Sequence, residues 1–107
     1  MIAPQLLCGV LMTFATVVVH MASVIWLGRQ LAAAMGSVRS RGTGERCLFL
    51  STAVLALIAL HLAEAGAWAL LYLELGEFDG LSQALYFSVV TATTLGYGDM
   101  TLSEPWR

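Results

Sequence analysis

The stretch Thr93-Thr94-Leu95-Gly96-Tyr97-Gly98-Asp99 decides how this chain of 107 residues can be interpreted. Its two glycines bracket a tyrosine, and glycine reaches positive φ at little steric cost. Successive carbonyls of a chain can point the same way only if alternate residues adopt such unusual backbone angles. We therefore expect a row of backbone carbonyl oxygens along residues 94–98. Such a row can replace the hydration shell of a cation inside a membrane.

The composition is typical of a membrane protein. Hydrophobic residues make up 59%, charged residues only 11%, and the mean hydropathy is +0.82. A soluble domain of this size would need far more surface charge, because charged residues make up about 25% of typical soluble domains. The sequence has no basic stripe and no nucleic-acid-binding motif, so no nucleic-acid partner is predicted. The expected surroundings are a lipid bilayer.

Two apolar runs, Leu6–Leu27 and Leu48–Leu73, are long enough to be transmembrane helices. At about 1.5 Å per residue, each crosses a hydrocarbon core of roughly 30 Å. The first helix is expected to continue towards Ala34, and the glycine, serine and arginine content of residues 36–44 predicts a loop. The basic residues between the runs place this arginine-rich loop in the cytoplasm. The N-terminus then lies outside a cell membrane that the chain crosses more than once.

A third apolar segment, Leu81–Thr93, follows a turn and is too short to span the membrane. Gly76 and Gly80 are expected to end the second helix, and Asp79 or Ser82 can cap a new one. The new helix covers only about 20 Å, which favours a re-entrant helix. Its negative C-terminal end would then face the membrane interior and favour a cation. The predicted fold is an all-α membrane protein with two transmembrane helices, a re-entrant pore helix and an extended selectivity-filter loop.

Together, these features resemble the pore domain of tetrameric potassium channels, over about Leu48–Asp99. The resemblance is closest to small bacterial members with one extra helix ahead of the pore unit. It rests on the glycine-containing stretch and on Ala84-Leu85-Tyr86-Phe87-Ser88-Val89-Val90-Thr91 before it. It implies passive, K⁺-selective transport in a bacterial inner membrane, with the filter near the outer face. K⁺ is then the transported ion, and no cofactor is expected.

The resemblance also assigns roles to residues. The positions that supply ion-coordinating oxygens in the family are occupied here by Thr94, Leu95, Gly96, Tyr97 and Gly98. Support of the filter is expected from Thr93, Asp99, Tyr86 and Phe87. Tyr86 can donate a hydrogen bond to Asp99, whereas Phe87 has no donor. Leu95 departs from the usual valine or isoleucine, which changes the packing behind the filter but leaves the carbonyl in place.

Each chain of such a channel supplies one quarter of every oxygen ring. The resemblance therefore implies a homotetramer or a hetero-assembly with full-length channel subunits. The family follows the filter with an inner helix, and the sequence ends before one, so we expect a fragment or a truncated product. Residues 1–46 would form the first transmembrane helix and basic loop, and 47–107 a partial pore domain. The alternative is a truncated, non-conducting subunit that binds and modulates full-length channels.

His61 and Glu64 lie three residues apart in the second apolar run, on neighbouring positions of one helix face. Ionisable groups at this depth are costly and raise a functional hypothesis, here a pH-sensitive pair. We favour a mutually satisfied pair that fixes helix packing, because neither residue lies on the expected ion path. His20 is expected deeper towards the cytoplasm than His61, without direct contact. No structural metal site is predicted.

An enzymatic interpretation is also available for the same stretch. Gly96-Tyr97-Gly98-Asp99 matches the Gly-x-Gly-Asp pattern of intramembrane aspartyl proteases. That chemistry needs a second aspartate sharing the site, so that one carboxyl group stays protonated. The other aspartate of the sequence, Asp79, is expected in a turn rather than within a helix. We therefore predict that the chain is not an enzyme.

Overall fold

The computed structural model describes residues 3–40, 42–104 and 106. These residues form three helices in the order α1 (Ala3–Arg39), α2 (Thr43–Glu74) and α3 (Leu81–Ala92), and the described part of the chain contains no strand. The all-α prediction is thereby confirmed. α1 and α2 contain the two predicted spans, and α3 occupies the third apolar segment, ending one residue before the predicted limit.

The two long helices are suited to lipid. Pro4–Arg39 and Thr43–Glu74 are each long and apolar enough to cross a membrane. Their large apolar side chains remain on the surface of the chain: Phe14 and Leu48 are each 69% exposed. Apolar surface on this scale is unfavourable in water and favourable against acyl chains. The chain is therefore expected to lie in a membrane.

The connection between α1 and α2 is much shorter than the loop predicted over 36–44, and that prediction is wrong. Polar side chains in this region satisfy helix carbonyls instead of breaking the helix. The Ser37 hydroxyl donates a hydrogen bond to the carbonyl of Ala34 at 2.8 Å. The Arg46 guanidinium donates to the carbonyl of Arg39, the last residue of α1, at 2.7 Å. Carbonyls at a helix end need such partners, so α1 can continue to this point.

The chain divides into two compact units. The first unit takes its residues from Met1–Phe14 and Leu62–Arg107, and the second comprises Ala15–His61. The first unit contains the N-terminal part of α1, the C-terminal part of α2, all of α3 and the residues after it. The second contains most of α1 and the N-terminal part of α2, which together make a helical hairpin.

Small side chains form the core of the first unit. Ala65, Ala69, Ala84 and Ser88 are all at most 5% exposed. Residues four apart share a helix face, so each pair lines the contact between α2 and α3. Small residues let two helix backbones approach closely. The buried Ser88 hydroxyl donates a hydrogen bond of 2.6 Å to the carbonyl of Ala65 and fixes α3 against α2.

An aromatic cluster lies beside this small-residue contact. The ring centroids of Tyr72 and Phe87 are 5.3 Å apart, and those of Phe78 and Phe87 are 5.2 Å apart. Trp68 extends the cluster, with its ring 6.1 Å from Tyr72. Aromatic pairs at these separations contribute beyond simple area burial. Phe87, expected to support the filter, thus joins α3 to the end of α2 and to the turn after it.

The turn between α2 and α3 is set by glycine at both ends. Gly76 has φ of 71°, its amide donates to Leu73 and the next amide donates to Tyr72, which is a Schellman motif. The prediction that Gly76 ends α2 is confirmed. The predicted side-chain cap of α3 by Asp79 or Ser82 is wrong, because the extended residue Gly80 is the N-cap and no side chain caps it. Glycine at an N-cap costs only a few tenths of a kcal/mol.

Candidate functional site

The 93–99 loop, which follows α3, has an alternating backbone. Thr94, Gly96 and Gly98 have positive φ angles of 60°, 52° and 74°, whereas Leu95 and Tyr97 between them do not. Carbonyls of successive residues point to the same side only if residues with positive φ alternate with residues with negative φ. The sequence predicted positive φ at Gly96 and Gly98.

Thr94 is the unexpected member of the alternation. It is the only residue other than glycine with positive φ among residues 3–40, 42–104 and 106. A left-handed conformation costs an L-amino acid roughly 1–2 kcal/mol, and β-branched residues adopt it rarely. Strain of this kind is retained at functional sites. Sequence reasoning identified Thr94 for its carbonyl and hydroxyl oxygens but missed its backbone conformation.

The start of the loop is hydrogen-bonded to the end of α3. The amide of Thr94 donates to Thr91 at 3.0 Å, and the amides of Leu95 and Gly96 donate to Val90 at 3.0 and 3.2 Å. These bonds satisfy carbonyls that a helix C-terminus otherwise leaves without partners. Because the amides bind back to α3, the first half of the loop has a fixed position relative to the helix.

The carbonyls of the loop have no such partners. Within the described ranges, no backbone amide donates to a carbonyl of residues 94–98. All five residues are exposed, with Leu95 at 55% and Tyr97 at 66%. Carbonyl oxygens that accept no backbone bond from the described residues can take a partner from an ion, a water molecule or another chain.

The side chain of Thr93 interacts with the helix rather than with the loop. Its hydroxyl donates a hydrogen bond of 2.7 Å to the carbonyl of Val89. A threonine hydroxyl can satisfy a carbonyl at the end of a helix in this way. Thr93 therefore reinforces the junction between α3 and the loop.

Tyr86 connects the far end of the loop to α3. Its hydroxyl donates a hydrogen bond of 2.8 Å to the carboxylate of Asp99. This bond to an anion raises the pKa of Tyr86, so the phenol stays protonated and remains a donor at neutral pH. The contact that the resemblance implied is present, and it fixes both ends of the loop to one helix.

We expect the Tyr86→Phe variant to loosen the outer end of the loop. The substitution removes the donor and keeps the ring, so amide hydrogen exchange over residues 96–100 should become roughly threefold faster. Tyr97→Phe is the matched control, because the Tyr97 hydroxyl forms no hydrogen bond with any residue that the structure describes. Equal exchange in the Tyr86→Phe variant and the parent chain would contradict the bracing role.

A second contact fixes the chain after the loop, and sequence reasoning missed it. The two carboxylate oxygens of Glu77 accept hydrogen bonds from the amide of Ser103 at 2.6 Å and from its hydroxyl at 2.7 Å. Glu77 lies in the turn after α2, so the segment that follows the loop is held against that turn. The partners are 26 residues apart, and no local pattern signals their pairing.

Loss of this carboxylate should free Ser103. In the Glu77→Ala variant, we expect the Ser103 amide to exchange about tenfold faster, because its hydrogen bond to a charged acceptor is lost. Glu74→Ala, at an exposed glutamate at the end of α2, is the control and should leave Ser103 unchanged. The pairing is contradicted if both variants give the parent rate.

The two histidines of the spans, His20 and His61, belong to the second unit. The rings of His20 and His61 are in contact, with centroids 5.2 Å apart and planes at 71°. The expectation that they lie at different depths without contact is wrong. Because α1 ends at Arg39 and α2 begins at Thr43, each histidine lies about five helical turns from the connection. Glu64 is half-buried on α2 in the first unit.

More than half of the chain matches one known protein family. Residues 48–107 match a family described as "Ion channel". The matched region contains α2 from Leu48 onward, α3 and the 93–99 loop. No curated protein and no solved structure matches the chain.

Proposed function

This chain belongs to the ion channel family, and we propose that it is a subunit of a K⁺-selective channel. Membership of a channel family points to transport rather than catalysis. The transported ion would cross the membrane passively, down its gradient, with no covalent step. Thr94, Leu95, Gly96, Tyr97 and Gly98 would supply its oxygen ligands.

The alternating backbone of the 93–99 loop carries this proposal. Positive φ at every second residue turns successive peptide units the same way, and the carbonyls of residues 94–98 accept no backbone hydrogen bond from the described residues. Exposed carbonyl oxygens that accept no such bond can take the place of an ion's hydration water. The Tyr86–Asp99 bond and the amide bonds to Val90 hold this row in position.

The charges around the loop favour a monovalent cation with a weakly held hydration shell. Residues 91–98 contain no charged side chain, so the ligands are neutral carbonyl dipoles. The loop begins at the C-terminus of α3, where the helix dipole favours positive charge. Hard divalent cations such as Ca²⁺ and Mg²⁺ are usually bound with the help of carboxylates, which this row lacks. Neutral carbonyl ligands therefore favour a monovalent cation, and the resemblance to potassium channels makes K⁺ the proposed ion.

Four copies are needed for a complete site. One chain contributes a single oxygen at each level, and a ring of carbonyls requires several chains around an axis. The exposure of Leu95 and Tyr97 leaves room for contacts with other chains. We propose a homotetramer or a hetero-assembly with full-length channel subunits.

We propose that the α1–α2 connection lies in the cytoplasm. Arg39 and Arg46 flank this connection, and positive charge is retained on the cytoplasmic side. The N-terminus and the 93–99 loop would then lie towards the outside. A bacterial inner membrane is the proposed location, from the resemblance to small bacterial channels.

Ion flux into liposomes tests the proposal. Purified chain is reconstituted, and K⁺ and Na⁺ fluxes are measured separately, with empty liposomes as the control. We expect K⁺ flux well above Na⁺ flux. Equal fluxes of the two ions would contradict K⁺ selectivity.

Ion binding can be tested separately from conduction. A ligand that binds only the assembled native state raises its melting temperature. We therefore expect the reconstituted oligomer to melt at a higher temperature in KCl than in NaCl at equal ionic strength. Chemical cross-linking should yield species of up to four chains. Identical melting in the two salts would contradict a K⁺ site in the loop.

A further inference from the structure

We propose that His20 and His61 form a binding site for a divalent transition-metal ion, with Zn²⁺ as the probe. The site lies in the helical hairpin of the second unit, whereas the 93–99 loop belongs to the first unit. Both ligands belong to that unit, one on α1 and one on α2. A bound ion would link the two helices of the hairpin.

The separation of the two rings fits a shared metal ion. Their centroids are 5.2 Å apart, and their ligand nitrogens lie within 4.8 Å of one another. Zinc binds imidazole nitrogen at about 2.0–2.1 Å with tetrahedral geometry, which places the centroids of two ligating rings about 5 Å apart. Only small side-chain adjustments are therefore needed to bring both nitrogens to one ion.

The hydrogen bond of His61 orients the ring for this role. Its Nδ1 lies 2.7 Å from the carbonyl oxygen of Leu57. A carbonyl only accepts, so in the neutral ring Nδ1 carries the proton and Nε2 has the lone pair that binds a metal. A ligating histidine usually donates its other ring N–H to a carbonyl or carboxylate in this way, which fixes the tautomer and raises ligand basicity.

The surroundings also favour an ion that imidazole binds well. Both histidines lie in long apolar helices, where polar side chains are costly and mark functional positions. Imidazole ligands suit Zn²⁺, Cu²⁺ and Ni²⁺, whereas Ca²⁺ and Mg²⁺ prefer oxygen. The sequence predicted no structural metal, because no cysteine or acid joins the two histidines at metal-ligand spacing and direct contact between them was not expected. The structure brings the two rings into contact, so the second of these reasons no longer holds.

Metal titration of the full chain in detergent tests the site. We expect one Zn²⁺ per chain, with affinity at least tenfold weaker in the His20→Gln and His61→Gln variants, since each removes a direct ligand. The control is a Cys8→Ser, Cys47→Ser double variant, because both cysteines are free thiols that could bind zinc. The control should keep the parent affinity. Circular dichroism verifies that each variant retains its helices.

Two results of the titration would overturn the site. One is unchanged Zn²⁺ affinity in both histidine variants, and the other is the absence of saturable binding to the parent chain. A spectroscopic test needs no variant: the Cu²⁺-loaded chain should show electron paramagnetic resonance couplings from two imidazole nitrogens. A spectrum without nitrogen coupling would contradict the proposal. None of these outcomes bears on K⁺ flux, so the two proposals fail independently.

Discussion

Replacing Gly96 with alanine is expected to abolish K⁺ over Na⁺ selectivity, reducing the permeability ratio of a conducting assembly to about one. Gly96 has φ of 52°, and a side chain there would meet nothing within 4 Å in the single chain. The effect therefore comes from the backbone and not from crowding. Alanine in this conformation costs roughly 1–2 kcal/mol per chain, which is multiplied fourfold in a tetramer. The peptide relieves the strain by turning, and its carbonyl leaves the row.

The control for this substitution is Gly28→Ala. Gly28 is an exposed residue within α1, where an added Cβ also meets nothing within 4 Å. Alanine in a helix is more stable than glycine by roughly 0.5–1 kcal/mol, so selectivity should be unchanged and stability slightly raised. The two variants make the same chemical change in different backbone conformations. Retained K⁺ selectivity in the Gly96→Ala variant would disprove the filter assignment.

The helices were predictable where the length or composition of one segment is enough to indicate them. The length of each apolar run predicted α1, α2 and α3, and Gly76 predicted the end of α2. The connection between α1 and α2 was not predictable from composition. Its serine and arginine content is typical of a loop, but the contact of Arg46 with Arg39 stabilises helix instead. Contacts across a turn decide such boundaries, and composition does not report them.

The candidate site was predictable in its residues and less so in its geometry. Gly96 and Gly98 have the positive φ that the sequence implied, because glycine is the residue that adopts it freely. Thr94 also has positive φ, although its β-branched side chain disfavours that conformation. The conformational preference of threonine therefore predicted the wrong sign of φ at this position. The pairing of Glu77 with Ser103 depends on tertiary structure alone. The roles of these residues in ion binding stay predictions.

We expect the Ala69→Leu variant to lose stability, because its longer side chain disturbs the contact between α2 and α3. Ala69 is fully buried in the small-residue core that places α3, and through α3 the 93–99 loop. Overpacking a closely packed core typically costs about 1–3 kcal/mol, because side chains leave their rotamers and backbones shift. Here the shift would separate the two helices, weakening the Ser88 bond to Ala65. We expect lower stability and loss of the K⁺-dependent rise in melting temperature.

Ala59→Leu provides the comparison, because residue 59 lies on the same helix with its side chain exposed. The same three carbon atoms are added there without entering a core, so unfolding in detergent should be nearly unchanged. Fluorescence of Trp68, one residue from Ala69, can report local unfolding near the contact during a denaturant titration. If Ala69→Leu and Ala59→Leu unfold at the same denaturant concentration, the α2–α3 contact does not control the stability of the first unit. The loop would then have to be positioned by its own bonds to α3 and by Glu77.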